Sequence, residues 1–143
     1  VKNGRQGADV KLQMHASILL RETDEAAQAA SKALEDSVDL GMVVEYLNAV
    51  RTSISTYDDI YAAMGDLQMR KIGSVSGARR MHGGPEQVAD EIETLIREFG
   101  CAGIAVTLPV WSPAEIRRFG ELVLPILDAR GLWRHPRQRD WSW

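Results

Sequence analysis

Val10, Leu12, Met14, Ala16, Ile18 and Leu20 alternate with Lys11, Gln13, His15, Ser17 and Leu19. A period of two predicts a strand over 10–20, with the intervening set turning apolar toward its end. Glu22-Thr23-Asp24-Glu25 breaks the alternation. Thr23 or Asp24 can cap the free amides of a helix start, and an acidic first turn suits the helix dipole. The Ala-rich stretch 24–38, with Leu34 and Val38, is predicted to be a helix. Met42, Val43, Tyr46, Leu47 and Val50 recur at helical spacing and predict a second helix over 40–51.

Residues 39–83 read as an insertion with weaker signals. Arg51 to Thr56 is polar and hydroxyl-rich, and Tyr57 to Tyr61 can open a short helix ending before Gly65. Gly65, Gly73, Gly77, Gly83 and Gly84 then punctuate what reads as a loop. A connection this long inside a compact domain is commonly functional or mobile. The loop 73–84 is expected to move without a ligand and to close on an anionic group.

The pattern sharpens at Gly84-Pro85-Glu86, a helix start with Pro at its first position. Val88, Ile92, Leu95, Ile96 and Phe99 form one apolar stripe, and Gly100 ends it. The apolar run Cys101 to Leu108 predicts a strand buried on both faces, as in a parallel sheet. Ser112-Pro113-Ala114-Glu115 starts the last helix. Ile116, Phe119, Val123, Ile126 and Leu127 give its apolar face, Pro125 should kink it, and Gly131 closes it. The tail 134–143 is basic and aromatic without periodicity. Strand, helix, insertion, helix, strand, helix is an α/β order with a parallel sheet.

Composition fits one globular domain or a piece of one: 143 residues, 45% apolar and 26% charged. No apolar run reaches a membrane span, and the start of the chain lacks the apolar core of a signal peptide. The net charge of -3 gives no pull toward nucleic acid or membrane. A single cysteine, Cys101, excludes an internal disulfide and a thiolate metal site, which fits a cytoplasmic chain. Asp58-Asp59 lacks a third ligand for a cation, so a surface or cap role is preferred there. The tail's Trp133, Arg134, His135 and Arg137 could stack on nucleic acid, but a frayed end is the simpler reading.

The chemistry-bearing stretch is Gly77-Ala78-Arg79-Arg80-Met81-His82-Gly83-Gly84. Adjacent guanidinium groups in a Gly-rich loop can hold a phosphate, sulfonate or carboxylate. The helix start that follows adds free amides. The alternative is a solvated loop whose arginines pair with the chain's own acids.

Four blocks, in order, resemble the bacterial luciferase-like flavin-dependent monooxygenases. Ile18 to Ala27 is similar to that family's strand end and acidic helix start. His82 to Ile92 resembles its G-x-P-E-x-V-A helix start. Gly103 to Leu108 corresponds to its last barrel strand, and Arg118 to Leu127 to its closing helix. The resemblance implies the C-terminal portion of a (β/α)8 TIM barrel: about two parallel strands, several helices and one long insertion, not a complete barrel. A full barrel takes about 250 residues, so a piece of a longer protein is expected.

The resemblance also implies reduced FMN supplied by a partner reductase, molecular oxygen and a small organic substrate. Alkanesulfonates, dimethyl sulfone, nitrilotriacetate and pyrimidines are the substrates of the branch it points to. F420-dependent hydride transfer is the alternative cofactor chemistry, and a non-catalytic barrel module acting through dimerisation or partner binding is the alternative role. A homo-oligomer is expected, because two strands and a few amphipathic helices leave apolar stripes to cover.

Barrel chemistry collects at the C-terminal ends of the strands. That nominates Leu20, Arg21 and Glu22 on one strand, and Thr107, Leu108 and Trp111 on the other. Trp111 can wall an apolar pocket or pack on a neighbouring loop. His15 can line the barrel as a base, although a structural histidine is the commoner role. Arg79, Arg80 and His82 complete the candidate set as flavin-phosphate or substrate contacts in the insertion.

Overall fold

The computed structural model describes residue 4 and residues 11–51, 65–75 and 78–139. Three strands, β1 (Leu12–Leu20), β2 (Arg79–Gly83) and β3 (Cys101–Thr107), form one parallel sheet in the order β2-β1-β3. The helices are α1 (Asp24–Asp36), α2 (Leu40–Arg51), α3 (Asp66–Val75), α4 (Pro85–Arg97), α5 (Pro113–Leu122) and α6 (Leu124–Ala129), followed by a 3-10 turn at Pro136–Gln138. Among the described residues no helix is long and apolar enough to cross a membrane.

Alternation along β1 divides the sheet into two faces. Ala16, Ile18 and Leu20 join Met81 of β2, Val88, Ala89, Ile92 and Leu95 of α4, and Val123 and Leu127 in one apolar core. His15, Ser17 and Leu19 point to the other face. In-register neighbours across parallel strands share a face, so Arg80 and His82 (level with Ser17 and Leu19) and Thr107 (level with Ser17) stand there too. α1 packs against β2 and β1 on this second face, where its Ser31 meets both Arg80 and His82.

The helix starts follow their sequence signals. Thr23 Oγ1 accepts from the Ala26 amide at the head of α1, and Ser112 Oγ accepts from the Glu115 amide at the head of α5. The last helix does not merely kink. Pro125 cannot donate to the Glu121 carbonyl, and the chain divides into α5 and α6 at Val123. Gly100 and Gly131 end their helices at φ 66° and 70°, where a Cβ would be strained.

Three expectations are corrected. The loop expected between Gly65 and Gly84 contains a helix, α3, and a whole strand, β2. β2 is short and half polar, because its outward residues meet α1 rather than core, so it carries no apolar alternation. β3 is not buried on both faces: Ala102 and Val106 are exposed, since it is the sheet's edge strand. Phe99, predicted to continue the buried stripe of α4, is 64% exposed beyond the end of that helix. The short helix expected after Tyr57, and Asp58-Asp59, lie outside the described residues. At the other end Leu132 and Trp133 pack against the core, and Arg139 Nε donates to the Arg134 carbonyl.

Candidate functional site

The sequence-nominated residues separate into three groups around the sheet, with Arg79 apart on the α4 face and Leu20 in the core. Arg80, His82, His15 and Thr107 share the polar face. Arg21 and Glu22 lie at the C-terminal end of β1, against α5. Trp111 and Leu108 lie beyond the end of β3.

Under α1 the polar groups form a chain. Arg80 Nη2 donates to Ser31 Oγ at 2.7 Å and also pairs with Glu35. Ser31 Oγ lies 2.7 Å from His82 Nδ1. With its oxygen accepting from the guanidinium, the Ser31 hydroxyl proton is free to donate to Nδ1, which puts the proton of the neutral ring on Nε2. Burial, reinforced by the Arg80 charge and opposed by Glu35, pulls the His82 ring down to about 4. The imidazole is therefore neutral near pH 7. Among the described residues Ser17 Oγ, Arg80 Nε and His82 Nε2 are buried without a hydrogen-bond partner.

Arg79 alternates to the other face and lies 3.6 Å from Glu91 of α4, whose carboxyl burial pushes up against the opposing pull of Arg79. The amide of Gly84 donates to Asp24 Oδ1 at 2.6 Å. A Cβ on Gly84 would come within 3.0 Å of that oxygen, so glycine lets the α4 start seat against α1. The expected anion cradle would draw on these same groups. Its two arginines sit on a strand and point to opposite faces, and both guanidinium groups and the helix-start amide already face carboxylates of this chain.

At the strand end Arg21 Nη1 donates to both oxygens of Glu115, at 3.1 and 3.0 Å, and to the Leu20 carbonyl at 2.6 Å. Arg118 Nη1 holds Glu115 Oε1 at 2.6 Å and its Nε lies 3.9 Å from Glu22. Glu115 is only 7% exposed. Its two guanidinium partners supply the compensation a buried carboxylate requires. Trp111 is 78% exposed over an apolar hollow of about 230 Å³ shared with Val106, Leu108, Ile116 and Phe119.

On the part of the polar face beyond α1, His15 Nε2 is hydrogen-bonded to Thr107 Oγ1. These two were nominated separately from sequence, and the β1–β3 pairing brings them together. Ser17, Ser31, Glu35 and Glu115 escaped nomination. The spacing of Ser31 and Glu35, one helical turn apart, was their one legible signal.

No family model matches the chain. N-acetyl-S-(2-succino)cysteine monooxygenase of Bacillus subtilis (strain 168) is 29% identical over 146 aligned residues, which take in 81% of this chain and 33% of that enzyme. Among solved structures, the long-chain alkane monooxygenase LadA matches 96% of this chain with a TM-score of 0.75 and 24% identity. Riboflavin lyase RcaE, solved with modified FMN and riboflavin, matches 92% at 0.70 and 23%. DmoA from Hyphomicrobium sulfonivorans matches 92% at 0.65 and 22%. The chain covers 32% to 34% of these structures, so it spans about a third of the length of the proteins it matches. The open parallel sheet with its helices corresponds to part of a TIM barrel. These relatives support the resemblance to the luciferase-like flavin monooxygenases.

Proposed function

We propose that this chain is the C-terminal part of a luciferase-like flavin-dependent monooxygenase acting on a small organic substrate. The observation that carries the reading is the alignment of 81% of the chain with a curated monooxygenase. Reduced FMN, when bound, supplies the electrons with which oxygen is activated, one oxygen atom entering the substrate and the other leaving as water. A separate reductase provides the reduced cofactor, and the enzyme works in the cytoplasm as a homo-oligomer. Exposed Phe99, Trp111 and Ile116 support association, as apolar surface that a partner can cover.

The chain's own residues contribute support and lining. Glu115 holds Arg21 and Arg118 in place at the strand end, where barrel sites gather. The Arg80–Ser31–His82 chain fixes α1 on the sheet. Arg21, Arg79, Arg80 and Arg118 all face carboxylates, so the flavin phosphate finds its counter-charge elsewhere in the protein. The ring of the cofactor, with its carbonyl and N–H edge, fits the open polar face of Gln13, His15 and Thr107 better than any of these ion pairs.

The test uses the full-length protein with FMN, a flavin reductase and NADH. N-acetyl-S-(2-succino)cysteine is the first substrate probe, because the curated relative is named for it. Flavin-dependent oxygen uptake that rises with a small organic substrate, with one oxygen atom from labelled O2 found in the product, is expected. A protein that binds no flavin, or whose product never acquires the label across alkanesulfonates, sulfones, aminopolycarboxylates and pyrimidines as well, would contradict the proposal.

A further inference from the structure

The polar face is divided by α1. Beneath the helix Ser17 and Leu19 are buried, whereas Gln13 and His15 stand exposed beyond it, with Thr107 partly exposed beside them. His15 and Thr107 are 92 residues apart in sequence, yet they share a hydrogen bond. His15 is level with Ala105 and Ser17 with Thr107, so the imidazole leans one pleat along toward the C-terminal ends of the strands. Gly103 and Ala105 lie on the same face of β3 and add little bulk beside the ring. The other nominated groups on this face, Arg80 and His82, are tied to α1. His15 by contrast is exposed, and among the described residues it is hydrogen-bonded through Nε2 only.

We infer that His15 is a ligand-contacting residue and that Thr107 positions it, with Nδ1 bonding a carbonyl oxygen or N–H on the edge of the molecule seated on this face. The inference rests on the flavin monooxygenase reading. Thr107 is suited to the task because a hydroxyl both donates and accepts. When it donates to Nε2 the ring proton sits on Nδ1, which then donates to the ligand. When Nε2 donates to Thr107, Nδ1 accepts. The ring can therefore meet either partner by exchanging tautomers. Among the described residues the charged groups near this face are Lys11, just before β1, and Arg80, whose charge is matched by Glu35; β3 brings none. The ligand edge that fits is accordingly uncharged. It belongs either to the flavin ring or to the substrate, and the test has an arm for each.

In the full-length protein, carbethoxylation of individual histidines by diethylpyrocarbonate is followed by peptide mass spectrometry, and flavin binding by fluorescence. Exposed His135 serves as the internal control. Protection of His15 by FMN alone, at least fivefold and with His135 unaffected, assigns the edge to the flavin ring. Protection that appears only when N-acetyl-S-(2-succino)cysteine is added assigns it to the substrate. His15→Gln and Thr107→Val should each weaken binding of the protecting ligand roughly three- to tenfold, the loss of one neutral hydrogen bond. Thr107→Ser should restore it, which a purely structural role for the methyl group would not. Flavin and substrate binding with His15 unprotected overturns this inference alone, while a protein that binds no flavin overturns it together with the function it rests on.

Discussion

The two faces of the sheet are built from the same three strands and do different work. One face is mainly apolar, with Ala16, Ile18, Leu20 and Met81 against Val88, Ile92, Leu95, Val123 and Leu127, and the Arg79–Glu91 pair at its margin. Burial there is stabilising by area alone, without regard to direction. The other face carries Ser17, Arg80, His82, His15 and Thr107. Each buried polar atom on it must find a directed partner or cost free energy. α1 satisfies several of these groups through Ser31 and Glu35 and leaves three atoms unpaired. The comparison teaches that α4 to α6 hold the sheet by apolar packing while α1 is held on it by directed polar contacts.

The sharpest way to break this contrast is a pair of truncations on opposite sides. Ile92→Ala removes a fully packed side chain from the apolar face and should cost about 2–5 kcal/mol in denaturant unfolding. Gln13→Ala on the exposed end of the polar face should change stability by less than about 0.5 kcal/mol. Comparable losses at the two positions would mean that the polar face is also core.

Acid should single out the polar face. The His82 ring resists protonation until about pH 4, whereas its ordinary value is 6.5. Below 6.5 the unfolded chain takes up a proton that the folded chain refuses. The stabilisation is therefore complete above pH 6.5 and falls as pH drops toward 4, after which this group adds no further slope. One pKa difference of this kind is worth about 1.4 kcal/mol per unit, and the partial exposure of the ring screens some of it, so the loss across the window is about 2–3 kcal/mol. His82→Gln should flatten that slope in a stability profile against pH. An unchanged slope in the variant would show that His82 is not the group responsible.

A smaller loss is expected from Glu115→Gln. The carboxylate is buried, but its partners Arg21 and Arg118 are each about a quarter exposed, at 22% and 28%, so water and salt screen part of the interaction. Breaking a fully buried pair costs about 3–5 kcal/mol, and the exposure of the arginines reduces the expectation to about 2. The loss should shrink with added salt, and a loss that ignores salt would point to packing instead.

Most of the apolar face was legible in the sequence because period alone encodes it. The alternation of 10–20 gave β1, and the stripe of Val88, Ile92 and Leu95 gave α4. The polar face was legible only residue by residue. His15 and Thr107 stood out as titratable and hydroxyl groups, but nothing in the order of the chain says that β1 lies beside β3. β2 was hidden for the same reason. Met81 is its one large core residue and the neighbours of Met81 face α1, so glycines dominate the local pattern and mask the strand. Partners such as Glu35 and Glu115 come from other elements, and only the tertiary arrangement brings them to their arginines.

Arg79 and Arg80 sharpen the comparison at the finest scale, since adjacent identical side chains were sent to opposite faces by the pleat. Arg79 lies 3.6 Å from Glu91 with its own side chain 48% exposed, a loose pair in contact with water. Such pairs contribute about 0–1 kcal/mol, so Arg79→Ala should cost less than about 0.5 kcal/mol. Arg80 is less exposed, at 33%, and bonds both Ser31 and Glu35, and Glu35 is itself only 15% exposed. Arg80→Ala strands that carboxylate and frees Ser31, and should cost about 1–2 kcal/mol. Unfolding of the two variants side by side, at low and high salt, separates the faces. Arg80→Ala should stay the more damaging at both salt levels, while the small effect of Arg79→Ala should vanish at high salt. Equal effects would mean that α1 does not hold Arg80 in the way the Ser31 and Glu35 contacts require.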